Sequence, residues 1–476
     1  MITKNTFKAL LQHLGFQQDD NVYITIINGY EIKVDFKEER IHYPKGIETN
    51  RDTTLNLSQN ENFVVFECIY QLLKSGYKPE HIILERGMPG GHGDTGGYCD
   101  ILVQDNDKEA YLLIECKTTD SKNSEFEKAW KYMQQNGGQL FNYYNSFRQA
   151  KYICLYASDF FPADQNNIAR LEQTYKLISM TDNEAYLDSD ASLKSYKSVQ
   201  EANAGKQEYF NVWTQTYQQD YTTYNLFESE PFKIGTRPYN ITDLKIVDGF
   251  TIQKKYHEFA TILRRHNVSG RENAFDKLVN LFLVKILDET KNTDNLQVYW
   301  KGAASDDYYS LQDRLQRLYK ESMEQYLKEN ISYIEENTIK EAFHLFKNEK
   351  DATKEKILEY FRVLKFYTNN DFAFLDVHNK ELFVQNAVIL KEIVQMLQDI
   401  RLKTDGEQHQ FLGDLFEGFL DQGVKQSEGQ FFTPMPIVKF LVSSLPLENM
   451  IKKSERIPKA VDYACGAGHF LTEYAA

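Results

Sequence analysis

Tyr98-Cys-Asp-Ile-Leu-Val103 and Ala110-Tyr-Leu-Leu-Ile-Glu-Cys-Lys117 are two short apolar runs that carry acids and a lysine at their ends. Their length and their β-branched and aromatic content read as strands covered on both faces. Side chains alternate along a strand, so Glu115 and Lys117 share one face and Cys116 points away from it. If the two strands pair as a hairpin, Asp100 meets Glu115 and Lys117 at one end of the sheet. Two carboxylates can hold Mg²⁺, with the Cys116 carbonyl as a third ligand and the lysine beside an attacking water, a set suited to phosphodiester hydrolysis.

Outward from these runs the pattern continues. Phe63, Phe66, Ile69, Tyr70 and Leu73 fall on one face of a helix that begins near Glu61 and stops at Gly76. His81-Ile-Ile-Leu-Glu85 reads as another strand, with Glu85 as a further acid at its end. A single helix is expected from about Ser124 to Arg148, then a strand at Tyr152-Ile-Cys-Leu-Tyr156. The order is α-β-β-β-α-β. Earlier, Asn28-Gly29 marks a tight turn between strands Val22–Ile27 and Glu31–Asp35. The glycines between Gly87 and Gly97, with His92 among them, run from strand to strand. They read as a hairpin near the site, since phosphate-cradling loops lead into a helix.

With that order, Asp100, Glu115 and Lys117 resemble the PD-(D/E)xK nuclease family. Gln139-x-x-x-Tyr143, on the following helix, resembles the extra motif of its RecB-like branch, and Glu67 stands where that branch often carries another active-site acid. The resemblance covers about residues 55–160; Cys99 stands where the family's name has proline. It implies that Asp100 and Glu115 bind the metal, that Lys117 orients or activates water, and that Gln139 and Tyr143 touch DNA or brace the lysine.

A second pattern lies near the C-terminus. Asp462-Tyr-Ala-Cys-Gly-Ala-Gly468, after an expected strand at Ala460–Asp462, is a glycine turn that lets backbone approach a small ligand. Alone it also fits a nicotinamide dinucleotide. Gln430-Phe-Phe-Thr-Pro434, about thirty residues upstream, decides between them. Together these resemble the N6-adenine DNA methyltransferases of type I modification subunits and type IIG enzymes. The apolar helix through Phe275–Glu289 resembles the helical domain that precedes their catalytic domain. The resemblance implies that Phe431, Phe432, Thr433, Pro434, Asp462, Cys465, Gly466 and Gly468 contact S-adenosylmethionine. Tyr463 replaces the more usual proline and Ala467 the serine. The Asn/Asp-Pro-Pro-Tyr/Phe motif that grips a flipped adenine occurs nowhere in the chain, so the resemblance stops early in the methyltransferase domain. This chain is expected not to methylate DNA by itself.

Length sets the domain count at roughly three. The expected arrangement is an α/β multidomain protein. Residues 1–160 form the nuclease domain, 161–250 edge elements and a connector, 251–400 an all-α domain, and 401–476 the start of a Rossmann-like methyltransferase domain. A net charge of −14 argues against a nonspecific, histone-like DNA binder but leaves room for a local basic stripe. Cys68, Cys99, Cys116, Cys154 and Cys465 form no paired spacing, which reads as reduced thiols. No apolar run is long enough to span a membrane, and the N-terminus lacks a signal-peptide pattern, so a cytoplasmic location is expected. The combined reading is a restriction–modification enzyme that acts on double-stranded DNA with Mg²⁺ and S-adenosylmethionine and admits self-association or a specificity partner. The absence of a Walker motif disfavours a translocating enzyme. Two other readings are a methyltransferase with an inactive nuclease fold and a non-catalytic DNA-binding assembly module. The intact Asp100, Glu115 and Lys117 set argues against both.

Overall fold

The helix α2, Asn60–Lys74, is apolar almost all round: Phe63, Val64, Phe66, Cys68, Ile69, Leu72 and Leu73 are all buried. A helix of that kind has to be enclosed, and α2 forms the spine of the first of two compact units in this computed structural model. The structure describes residues 1–88, 97–119, 124–163, 167–187, 192–228, 230–234, 238–247, 249–268, 271–303, 305–334, 354–403, 433, 435–454, 456–466 and 468–475. The first unit comprises Met1–Pro238 and Trp300–Ser310.

One side of α2 meets α1 (Lys4–His13) and a small antiparallel sheet of β1 (Gln17–Asp19), β2 (Val22–Ile27), β3 (Tyr30–Asp35) and β4 (Arg40–His42). The β2–β3 turn is the expected one, with Asn28 at φ 48° and Gly29 at φ 87°. The other side packs on a six-stranded sheet of order β10-β9-β8-β7-β6-β5. Its strands are β5 (Glu48–Thr49), β6 (Ile82–Gly87), β7 (Tyr98–Gln104), β8 (Ala110–Cys116), β9 (Tyr152–Phe161) and β10 (Arg170–Ser179). β6, β7 and β8 pair antiparallel and β8 runs parallel to β9. A parallel pair needs a crossover, and α3 (Glu125–Asn136) with α4 (Gly138–Ser146) provides it. The expected order α-β-β-β-α-β is present, with its second helix in two pieces.

That break departs from the single helix expected over this stretch. Gly137 and Gly138 have φ of 79° and 52°, a left-handed conformation that ends a helix cheaply only at glycine. The restart packs Leu140, Phe141, Tyr143 and Tyr144 as buried side chains beside β8 and β9. β10 lies in the stretch read as edge elements and a connector, and it forms the edge of the sheet, pairing with β9 over ten residues, from Arg170↔Phe161 to Ser179↔Tyr152. The first unit therefore runs on to Pro238. Residues 300–310 also belong to it: the Trp300 indole and the Ala303 amide both donate to the buried Asp220 carboxylate.

In the second unit, Tyr239–Tyr299 and Leu311–Ala476, the regular elements among the described residues are helices, apart from one isolated β-bridge, Lys245↔Ile400. Its central helices are Arg271–Lys291 and Lys380–Gln398. The Asp288-Glu289 pair ending the first of them has a structural use. Asp288 accepts from the Gln297 and Val298 amides, while Glu289 accepts from Leu402 and Lys403 with Lys285 beside it at 3.1 Å. Both acids are buried and have their hydrogen-bond needs met. Among the described residues no helix is long and apolar enough to cross a membrane.

Candidate metal centre

The strand register decides which side chains converge. Ile101↔Ile114 and Leu102↔Leu113 are partners across β7 and β8, so Asp100 and Glu115 come to the same end of the pair. Leu112, Ile114 and Cys116 point into the core shared with α2, and Glu115 points to the other face, where α4 lies. Cys116 thus turns away as alternation requires. Its N–H donates to Asp100 Oδ2 at 2.7 Å and anchors that carboxylate.

Glu61, Asp100 and Glu115 each place a carboxylate oxygen within 4.8 Å of the others. Lys117 Nζ lies 2.6 Å from Glu115 Oε1 and 2.7 Å from Glu61 Oε1. The Tyr143 hydroxyl is 2.8 Å from both Glu115 Oε2 and the Tyr98 carbonyl, and Gln139 Nε2 donates to that hydroxyl at 3.3 Å. Asp100, Glu115, Lys117, Gln139 and Tyr143 are therefore gathered into one connected group. Gln139 touches Tyr143 and not the lysine, so the motif on α4 fixes the orientation of Glu115.

Glu67 is elsewhere. It is fully buried on α2, accepting from the Tyr156 hydroxyl and, at 2.8 Å each, from Gln71 and Gln173. Among the described residues the helix acid that joins the group is Glu61, in the first turn of α2, where an acid also complements the helix dipole. Sequence reasoning passed over it because an acid at a helix start is most simply read as a cap. Glu85 is buried with φ 51° and falls opposite Asp100 between the pairs Leu84↔Ile101 and Arg86↔Cys99, but is outside the three-acid group.

Three carboxylates against one ammonium leave an excess of two negative charges in a half-buried place. Burial, with Glu115 adjacent, pushes the Asp100 carboxyl well above the usual carboxylate range, against the pull of Lys117. Burial raises Glu115 as well, opposed by Lys117 and the Tyr143 hydroxyl. For Lys117 burial disfavours the charge, but Glu115, Glu61 and Asp100 outweigh it and hold the ammonium above its ordinary range. Raised carboxyls hold protons that the unfolded chain has already released. Without a cation the group would thus lose stability as pH climbs from about 4 towards the raised values. A divalent cation cancels the excess charge, and hard oxygen donors are what Mg²⁺ takes. The donor set fits the ion.

Of the residues read as contacts of S-adenosylmethionine, Phe431, Phe432 and Pro434 lie outside the described residues, as do the Gly90–Gly96 stretch and His92 within it. Thr433 is half-buried. The glycine turn is formed: Asp462 Oδ1 accepts from the Ala464 amide at 3.0 Å, and the Gly468 amide donates to the Cys465 carbonyl at 2.7 Å. Gly466 and Gly468 have φ of 49° and 79°, and a Cβ at either would meet only open space. The strand expected at Ala460–Asp462 is instead an extended segment with Val461 exposed. A strand is defined by its partner, and among the described residues none lies beside it.

Residues 407–476 match the N-6 DNA Methylase family model, which carries with it DNA as substrate and S-adenosylmethionine as methyl donor. No curated protein matches the chain.

Proposed function

We propose that the first unit is a Mg²⁺-dependent DNA endonuclease and that, joined to the methylase segment, it makes this chain part of a restriction–modification enzyme of type IIG or type I-like character. The observation that carries this reading is the convergence of Glu61, Asp100 and Glu115 within 4.8 Å with Lys117 between two of them. When bound, Mg²⁺ supplies Lewis acidity to the scissile phosphate and lowers the pKa of water. The chain's own residues do the rest. Asp100 and Glu115 would hold the ion, Asp100 fixed by the Cys116 amide and Glu115 oriented by the Tyr143 hydroxyl. Lys117 stays protonated, so it acts as a donor that orients the attacking water rather than as its base. Glu61 completes the ligand set and keeps the lysine in place. Burial of Glu115 and Tyr143 limits competing solvent and strengthens each of these contacts.

Incubation with supercoiled plasmid is the test. Nicking or linearisation is expected with Mg²⁺ and none with a chelator. Glu61→Gln is expected to slow cutting by about a hundredfold or more, equivalent to about 3 kcal/mol, whereas Glu67→Gln stays within about threefold because its partners are structural. No Mg²⁺-dependent conversion by the parent protein contradicts the proposal. The reverse ranking of the two variants would assign the helix acid to Glu67.

A further inference from the structure

A metal centre neutralised by its own carboxylates leaves the flanking phosphates to protein cations, so a nuclease built on it needs a cation beside it that reaches the DNA backbone. We propose that Arg51, stacked on Tyr98, is that contact: a phosphate-binding clamp for double-stranded DNA at the mouth of the metal centre. This rests on the nuclease reading above.

Three observations place it there. Tyr98 precedes Asp100 by two residues on β7, so alternation puts the two side chains on the same face, about 6.7 Å apart along the strand. Its carbonyl lies 2.8 Å from the same Tyr143 hydroxyl that meets Glu115, the two acceptors sharing one O–H, which keeps Tyr98 beside the metal ligands. Its ring rests against Gly87, the cross-strand partner, where an added Cβ would lie 3.4 Å away, and it stays 40% exposed.

Next, the Arg51 guanidinium sits 4.4 Å over the centre of that ring, with its side chain 46% exposed. A guanidinium over an aromatic face is pre-oriented at modest cost and keeps N–H donors for a phosphate. Finally, Glu85 Oε2 lies 3.9 Å from Arg51 Nε. Glu85 is the buried residue with left-handed backbone opposite Asp100. A glutamate in that conformation within a strand costs free energy, and such outliers concentrate at functional sites. Here it directs a carboxylate towards the arginine and holds it over Tyr98. The arginine is thus stacked on the residue two positions before Asp100 on the same strand, where a phosphate flanking the one being cut would pass.

The test is duplex binding in Mg²⁺ by fluorescence anisotropy, with Lys117→Ala as the parent so that the DNA stays whole. Adding Arg51→Ala is expected to raise Kd about tenfold on duplexes of unrelated sequence and to lower the slope of log Kd against log salt by about one. Arg51→Lys keeps the slope, because the charge remains, and loses part of the affinity. A merely structural arginine would leave the salt slope unchanged. Equal Kd and slope in Arg51→Ala overturns the clamp, and so does a parent that does not bind duplex DNA. Plasmid cutting by the protein with Lys117 is scored separately. Absent cutting with an intact Arg51 effect on binding removes the nuclease and keeps the DNA contact.

Discussion

Lys117→Ala is expected to reduce Mg²⁺-dependent cleavage by at least about a thousandfold, about 4 kcal/mol in transition-state stabilisation, while the protein stays folded. The lysine is close to two of the three carboxylates, at 2.6 and 2.7 Å. Removing it leaves a ligand set that still attracts a divalent cation, and more strongly, since a competing charge has gone. What disappears is the donor that orients water against the phosphate. The signature is therefore a lost rate with retained or tightened metal binding, read from single-turnover plasmid linearisation alongside a Mg²⁺ titration. Lys117→Arg is not expected to rescue it, because a planar fork cannot occupy the place of a compact ammonium held between Glu115 and Glu61. Cutting by Lys117→Ala within about tenfold of the parent would show that the lysine is only a structural counter-ion.

The largest expected effect on stability is at Phe66. Its side chain is fully buried on α2, edge-on to Phe7 at 5.0 Å and near Phe16 at 5.8 Å and Tyr43 at 6.4 Å. It joins α1, the segments that flank the small sheet at Phe16 and Tyr43, and α2 through one ring. Phe66→Ala removes the buried area and leaves a cavity whose surroundings come from three elements and cannot all collapse. A loss of about 3–5 kcal/mol is expected. Urea denaturation of the first unit's transition checks this, with Ile26→Ala as control: Ile26 is 69% exposed and should change stability by less than about 0.5 kcal/mol. Because α2 carries Glu61, the Phe66 variant should also weaken metal binding near its unfolding midpoint and not far below it.

The parts of this fold that could be read from the sequence are those where local pattern and tertiary environment agree. β6, β7, β8 and β9 are uninterrupted apolar runs because both faces are covered, and Asn28-Gly29 allows only a tight turn. Placement of Asp100, Glu115 and Lys117 followed from alternation alone. β10 was hidden because it is an edge strand. Its exposed positions carry Arg170, Glu172 and Thr174, and only Tyr175, Leu177 and Ile178 are buried, so polar composition masked the alternation of Leu171, Tyr175 and Leu177. The break between α3 and α4 was written in Gly137-Gly138, but a glycine pair inside a helical pattern reads equally as a weak spot. Its consequence, an α4 register that faces Tyr143 towards Glu115, depends on packing. Glu61 was illegible for another reason. Spacing within α2 cannot tell which of two acids, six residues apart, comes to the end of β8, and burial consumes Glu67 in a network with Tyr156, Gln71 and Gln173 that long-range contacts alone create. The return of residues 300–310 to the first unit is likewise a matter of one buried acceptor, Asp220, with no local signal.

The most direct measurement is a calorimetric Mg²⁺ titration of the whole chain at pH 5.5 and pH 8.0, with Asp100→Asn alongside. The raised carboxyls of Asp100 and Glu115 must give up protons when the ion binds, so affinity should rise with pH and binding at the lower pH should release protons to the buffer. Saturable binding that is stronger at pH 8.0 and lost in Asp100→Asn is the expected result. No saturable binding, or binding that Asp100→Asn leaves intact, would contradict a metal centre at Glu61, Asp100 and Glu115.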